Sequence, residues 1–192
     1  MSRALSHALS HANDYDRISV SPIAGALGAE ISGVDISRPI DSATFAEIRR
    51  AWNENLVIFF RGQSLDVDAR VAFGRRFAPL FRHPNLLTEG RYPDIVRIRR
   101  MPGDKQIVGE DWHTDTTCMA EPPCGAVLYG VDVPPYGGDT LFANQYLAYE
   151  TLSDGMKALV SRLTAVHSDI TVAGPQAARN KYRTNKVRED SN

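Results

Sequence analysis

The chain has 192 residues, 43% of them hydrophobic and 23% charged, enough apolar material for a core and too much for a disordered or collagen-like chain. Its 22 basic and 23 acidic residues leave a net charge of -1, which removes the bulk electrostatic attraction that nucleic acid or an anionic membrane surface would need. No apolar run approaches the roughly 18 to 20 residues of a bilayer span, and the polar start MSRALSHALSHANDYDR lacks a signal peptide's apolar centre, so a cytoplasmic location is expected.

In chain order, residues 1–16 read as a flexible tail, because Ser6, His7, Ser10, His11 and Asn13 interrupt any apolar face. Residues 17–174 read as one domain, since no Ser-, Gly- or Pro-rich tract divides them. Ile18, Val20 and Pro22, then Ile31, Val34 and Ile36, mark short extended segments separated by Gly25, Gly28 and Gly33. Asp41 or Ser42 can cap a helix with Phe45, Ile48 and Trp52 on its inner face, ended by Asn55 before a buried strand from Leu56 to Phe60. Ser64 or Asp66 can cap a second helix to about Phe77, with Val67, Arg70, Val71 and Gly74 along one side and Pro79 forbidding its continuation. Ile95 to Arg100 alternates apolar and basic residues as a half-exposed strand would, with Val96 and Ile98 inward.

Farther on, Pro122-Pro123 introduces an extended segment from Gly125 to Val133, and the turn Pro134-Pro135-Tyr136-Gly137-Gly138 leads to another, Thr140 to Ala143. Ser153 can cap a third helix, whose Met156, Leu159, Val160 and Leu163 repeat at helical spacing. Cys118 and Cys124 lack zinc-knuckle spacing and read as reduced thiols. Residues 175–192 read as a basic polar tail or loop, with Arg179, Lys181, Arg183, Lys186 and Arg188 and almost no large aliphatic residue. Three short helices among many short strands predict a mostly β fold with helices flanking an antiparallel sandwich.

His113-Thr114-Asp115 is the sharpest chemical feature. In a strand, alternate side chains share a face, so this imidazole and carboxylate can converge on one cation. One nitrogen and one oxygen donor suit ferrous iron, and a third donor from elsewhere would complete a two-His-one-carboxylate face with open positions. By itself the triplet is a weak signal, since a histidine on a strand is more often a hydrogen-bonded structural residue.

Context separates the two. Trp112-His113-Thr114-Asp115 is followed by Gly137-Gly138-Asp139-Thr140 and by a capped helix containing Ala148-Tyr149-Glu150. Upstream stand Leu27-Gly28-Ala29-Glu30-Ile31-Ser32-Gly33-Val34-Asp35, the run Leu56 to Gln63, and Arg75-Arg76-Phe77-Ala78-Pro79-Leu80 leading to His83-Pro84. In their order and spacing, from about Ile18 to Ser168, these resemble the TauD/TfdA (taurine dioxygenase) family of iron(II)- and 2-oxoglutarate-dependent oxygenases.

The resemblance implies a double-stranded β-helix, a cupin-like jelly roll incomplete at the C-terminus. It implies that His113 and Asp115 are iron ligands, that Thr140 helps hold the distal carboxylate of 2-oxoglutarate, and that His83 contacts an anionic substrate. Leu86 and Gly109 stand where the taurine enzyme has polar substrate contacts, which shifts the expectation from taurine towards an alkyl sulfonate, a sulfate ester or another small organic anion. The expected reaction is hydroxylation by dioxygen, coupled to decarboxylation of 2-oxoglutarate to succinate. Homo-oligomerisation is expected, without a nucleic-acid or membrane partner.

The chain departs from the family pattern downstream. The family's distal histidine ligand and cosubstrate arginine have no match here: the one histidine after Asp115 is His167, in a Leu163-Thr164-Ala165-Val166-His167 context unlike that ligand, and Arg179, Arg183 and Arg188 lack the motif. The alternative reading is therefore a truncated or degenerate, non-catalytic member that acts as a folded binding or oligomerisation domain.

Overall fold

The computed structural model describes residues 14–82, 88, 89, 91–101, 103 and 112–167. His83, Leu86 and Gly109, residues 1–13 of the expected flexible tail and the basic segment 175–192 lie outside the described residues. The chain divides into two compact units, one of residues 1–77 and 128–163 and the other of residues 78–127 and 164–192.

The first unit holds a three-stranded sheet in the order β1-β2-β3, formed by β1 (Ser19–Pro22), β2 (Ala29–Ser32) and β3 (Ile58–Phe60). β1 and β2 pair antiparallel with Val20 opposite Ile31, whereas β2 and β3 pair parallel with Ile31 opposite Phe60. The parallel pair departs from the expected antiparallel sheet. Helix α1 (Ser42–Asn55) lies between β2 and β3 in sequence, and a helical crossover returns the chain so that the second strand runs in the same direction as the first.

α1 begins where the sequence predicts. The Asp41 carboxylate accepts from the backbone N–H groups of Ala43 and Thr44, which would otherwise lack intrahelical partners. Its inward side chains Phe45, Ile48 and Ala51 are buried, and Ile48 is fully so, a burial that contributes roughly 1.5 to 3 kcal/mol. The helix ends in a tight reversal: Leu56 has φ 65° and ψ −37°, and the Val57 N–H donates to the Asn55 carbonyl at 2.7 Å, a strained three-residue turn.

α2 (Val67–Arg75) is capped by Asp66, whose carboxylate accepts from Ala69 N–H at 2.7 Å. Its buried residue is Phe73, not a member of the expected stripe of Val67, Arg70, Val71 and Gly74. Aromatic packing decides this: the Phe73 ring makes edge contacts with Phe45, Phe60 and Phe77, and turns the face bearing Ala69 and Phe73 towards the sheet. The core consists of Ile18, Val20, Ala29, Ile31, Ile36, Phe45, Ile48, Ala51, Leu65 and Phe73. Among the described residues, none after Phe73 is buried.

Two more helices complete the unit. α3 (Gln145–Glu150) is capped by Asn144 and α4 (Asp154–Val160) by Ser153, whose hydroxyl accepts from Met156 N–H at 3.2 Å. α4 starts as predicted but ends at Val160, short of Leu163, and the apolar residues of the expected stripe are open: Met156, Leu159 and Leu163 are 44%, 56% and 66% exposed. Residues 128–133 and 140–143 form no strand, so the described residues hold a small sheet plus helices, with more helical than strand residues. Alternating side chains mark a segment able to join a sheet, but a strand exists only through hydrogen bonds to a neighbour, and no described segment pairs with these.

In the second unit β4 (Thr88–Glu89) pairs antiparallel with β5 (Tyr92–Val96). The strand thus ends at Val96 and shares only Ile95 and Val96 with the expected strand Ile95 to Arg100, and Ile98 is 59% exposed, not inward. Residues 125–127 form no strand in this unit either.

Candidate functional site

The second unit carries the His-x-Asp triplet. The expected strand setting is replaced by a turn spanning residues 115–118, closed by the Met119 N–H donating to the Thr116 carbonyl at 3.0 Å. Convergence of the two side chains is nevertheless the outcome: His113 Nε2 lies 3.3 Å from Asp115 Oδ1. Two donors each about 2.1 Å from one cation and at right angles stand about 3.0 Å apart, so the observed spacing suits adjacent ligands of a first-row metal. The side chains are 53% and 72% exposed, which leaves them open to a cation from solution. An imidazole nitrogen and a carboxylate oxygen are also the donor types that ferrous iron accepts.

The turn is strained. Thr116 has φ 49°, a left-handed conformation that β-branched residues avoid, and its Oγ1 is shut away from solvent with no hydrogen-bond partner among the described residues. The next residue, Thr117, places Oγ1 2.8 Å from His167 Nδ1 across fifty residues of sequence. Nothing in the local pattern advertises this contact. The available signal is the lone downstream histidine together with a hydroxyl-bearing pair directly after the acid.

Among the described residues no group of three or more His, Cys, Asp or Glu side chains could hold a metal ion. The triplet brings together two such side chains, His113 and Asp115. Cys118 and Cys124 are free and exposed, as the sequence reading has them. Thr140 belongs to the first unit, where it is exposed just after Gly137 and Gly138, whose φ values of 82° and 73° make the turn that the Pro-Pro-Tyr-Gly-Gly run predicts. His83, the expected anion contact, is outside the described residues. No helix among the described residues is long and apolar enough to cross a membrane.

Comparison with known proteins gives a consistent picture. The family "Taurine catabolism dioxygenase TauD, TfdA family" matches residues 19–191. An alpha-ketoglutarate-dependent sulfate ester dioxygenase of Pseudomonas putida is 36% identical over 170 residues, covering 88% of this chain and 54% of the relative. An alkylsulfatase of Acinetobacter baylyi is 34% identical over 158 residues, with 82% and 49% covered. Among solved structures, a taurine dioxygenase from Burkholderia xenovorans superposes with a TM-score of 0.68 at 37% identity, over 77% of this chain and 52% of that one. The chain spans about half the length of the curated relatives it matches.

Proposed function

Since the chain belongs to the TauD/TfdA family of taurine catabolism dioxygenases, we propose that the complete protein is an iron(II)- and 2-oxoglutarate-dependent dioxygenase that hydroxylates a small organic anion. The observation that carries this reading is the 3.3 Å approach of His113 Nε2 to Asp115 Oδ1 on an open turn. These two side chains would hold the iron. The Nε2 lone pair would serve as the nitrogen donor, and the carboxylate would offset one positive charge. A third donor and an arginine for the cosubstrate come from outside the described residues, and the described segments join a jelly-roll core in the complete protein.

A bound iron would supply the oxidising power that couples decarboxylation of 2-oxoglutarate, to succinate and carbon dioxide, with insertion of one oxygen atom of dioxygen into a substrate C–H bond. The chain's own residues set which molecule is held. The Thr140 hydroxyl donates a hydrogen bond to the distal carboxylate of 2-oxoglutarate, and the His83 imidazole meets the substrate anion. Two observations favour a sulfate ester or alkyl sulfonate over taurine. Leu86 and Gly109 offer no polar side chain to meet an amino group, and two similar relatives are named for sulfate-ester chemistry. Hydroxylation at the carbon bearing the oxygen of such an ester gives an adduct that collapses to an aldehyde and sulfate.

The test is an anaerobic iron(II) titration of the complete protein by calorimetry. His113→Ala and Asp115→Ala each abolish iron uptake while leaving the circular dichroism spectrum unchanged, because both side chains are exposed and hold no core contact. Undiminished iron affinity in either variant refutes the ligand assignment. The non-catalytic alternative is separated by adding 2-oxoglutarate without oxygen: the visible metal-to-ligand charge-transfer band appears for the enzyme and stays absent for a degenerate member.

A further inference from the structure

The strained turn beside Asp115 requires something to hold it. A β-branched residue at φ 49° persists only where its surroundings over-determine it, and relaxation of Thr116 towards the ordinary right-handed region would swing the preceding carboxylate away from His113. Two contacts secure the turn from its C-terminal side. One is the local Met119 N–H to Thr116 carbonyl bond. The other is long-range, His167 Nδ1 to Thr117 Oγ1 at 2.8 Å, with all the residues concerned in the same compact unit. Either imidazole tautomer can fill that bond, because the hydroxyl can donate or accept.

We propose that His167 is a positioning residue for the metal pair: through Thr117 it locks the 115–118 turn in the conformation that keeps Asp115 facing His113. The proposal rests on the reading of those two residues as iron ligands. It gives the histidine a task distinct from ligation, acting on the metal through the backbone of the neighbouring turn. Outer contacts of this kind tune metal sites by fixing how the ligands are presented.

The experiment uses the complete protein, Co(II) as a spectroscopic probe, and the variants His167→Leu, His167→Asn, Thr117→Val and Thr117→Ser. His167→Asn keeps a nitrogen near the Nδ1 position, and Thr117→Ser keeps the hydroxyl. In metal-free protein, His167→Leu and Thr117→Val speed amide hydrogen exchange across residues 113–119. With metal, each weakens Co(II) binding about tenfold and alters the d–d bands. The double variant His167→Leu/Thr117→Val is no worse than either single one, and the two conservative variants restore both exchange and affinity.

Unchanged exchange and Co(II) affinity in both disruptive variants overturns the proposal. So does a loss of Co(II) binding on His167→Leu with Thr117→Val unaffected, which would make the histidine a direct ligand. If the two disruptive variants fail to fold, the conservative pair decides, because its failure to preserve the d–d spectrum also overturns the proposal. Absence of Co(II) uptake by the wild-type protein sinks the iron reading and the positioning role that rests on it. Exchange in the metal-free variants shows separately whether the histidine fixes the turn at all.

Discussion

The Glu47 side chain shows how one residue on α1 anchors the chain leading into the sheet. Its carboxylate accepts from the backbone N–H groups of Asp16, Arg17 and Ile18 at 3.2, 3.0 and 3.3 Å. Desolvation pushes its pKa up, but these three donors and the charge of Arg50 together outweigh that and hold it below the ordinary glutamate value. A group whose folded-state pKa is depressed contributes stability that is present above its unfolded pKa and is lost as pH falls through the folded one. Glu47→Gln is therefore expected to cost about 1 kcal/mol at neutral pH, after allowing for solvent screening, and this difference shrinks on acidification below about pH 4. Urea unfolding of both proteins at pH 7 and pH 3 measures it, and an equal cost at the two values contradicts the assignment. Tyr15 marks the opposite limit: burial, reinforced by a 2.7 Å hydrogen bond donated to Glu54, pushes its phenol up to about 12, so the tyrosine favours the fold until pH rises past its unfolded value near 10.

Among the elements, the helices were largely legible in sequence and the strands only in part. Asp41, Asp66 and Ser153 cap helices because capping is a transaction among three or four adjacent residues, so it is written locally. The buried face of α2 was not legible, because Phe73 is drawn inward by Phe45 and Phe60, which belong to other elements. The segments 125–133 and 140–143 carry strand-like alternation without forming strands, since pairing is not a property of one segment. At the candidate site, the convergence of His113 and Asp115 was predicted from strand geometry and is delivered by a turn instead, while the His167 contact spans too much sequence to be read from any pattern. The end of α1 offers a test at this scale. Leu56 at φ 65° pays for its side chain in backbone strain, so Leu56→Gly is expected to be about 1 kcal/mol more stable than Leu56→Ala, although both lose the same packing. A paired thermal-unfolding measurement decides, and equal stabilities would mean that the turn relaxes freely.

Among the described residues, burial is unevenly distributed. Leu128, Val131, Val133 and Leu141 are 78%, 79%, 72% and 72% exposed, all in segments with strand-like sequence. Apolar side chains displayed at this density predict that the 192-residue chain binds the dye 1-anilinonaphthalene-8-sulfonate strongly, and that Leu128→Lys combined with Val131→Lys lowers the fluorescence without loss of the N-terminal sheet. A weak signal, or one unmoved by the double substitution, would show that these side chains are covered in solution.

The parallel strand pair joined by α1 has a consequence for biosynthesis. Among the described residues the buried ones fall between Ile18 and Phe73, and the β2-α1-β3 unit closes within Ala29–Phe60, so its contacts link residues near one another along the chain. This portion is synthesised before His113. At 5 to 20 residues per second, the about 40 residues separating Phe73 from His113 take roughly two to eight seconds to translate, ample time for a small local sheet and helix to assemble. The turn that carries Asp115 is synthesised later, so a lesion in the early core, such as one at Ile48, is expected to lower the yield of nascent protein whatever the turn does.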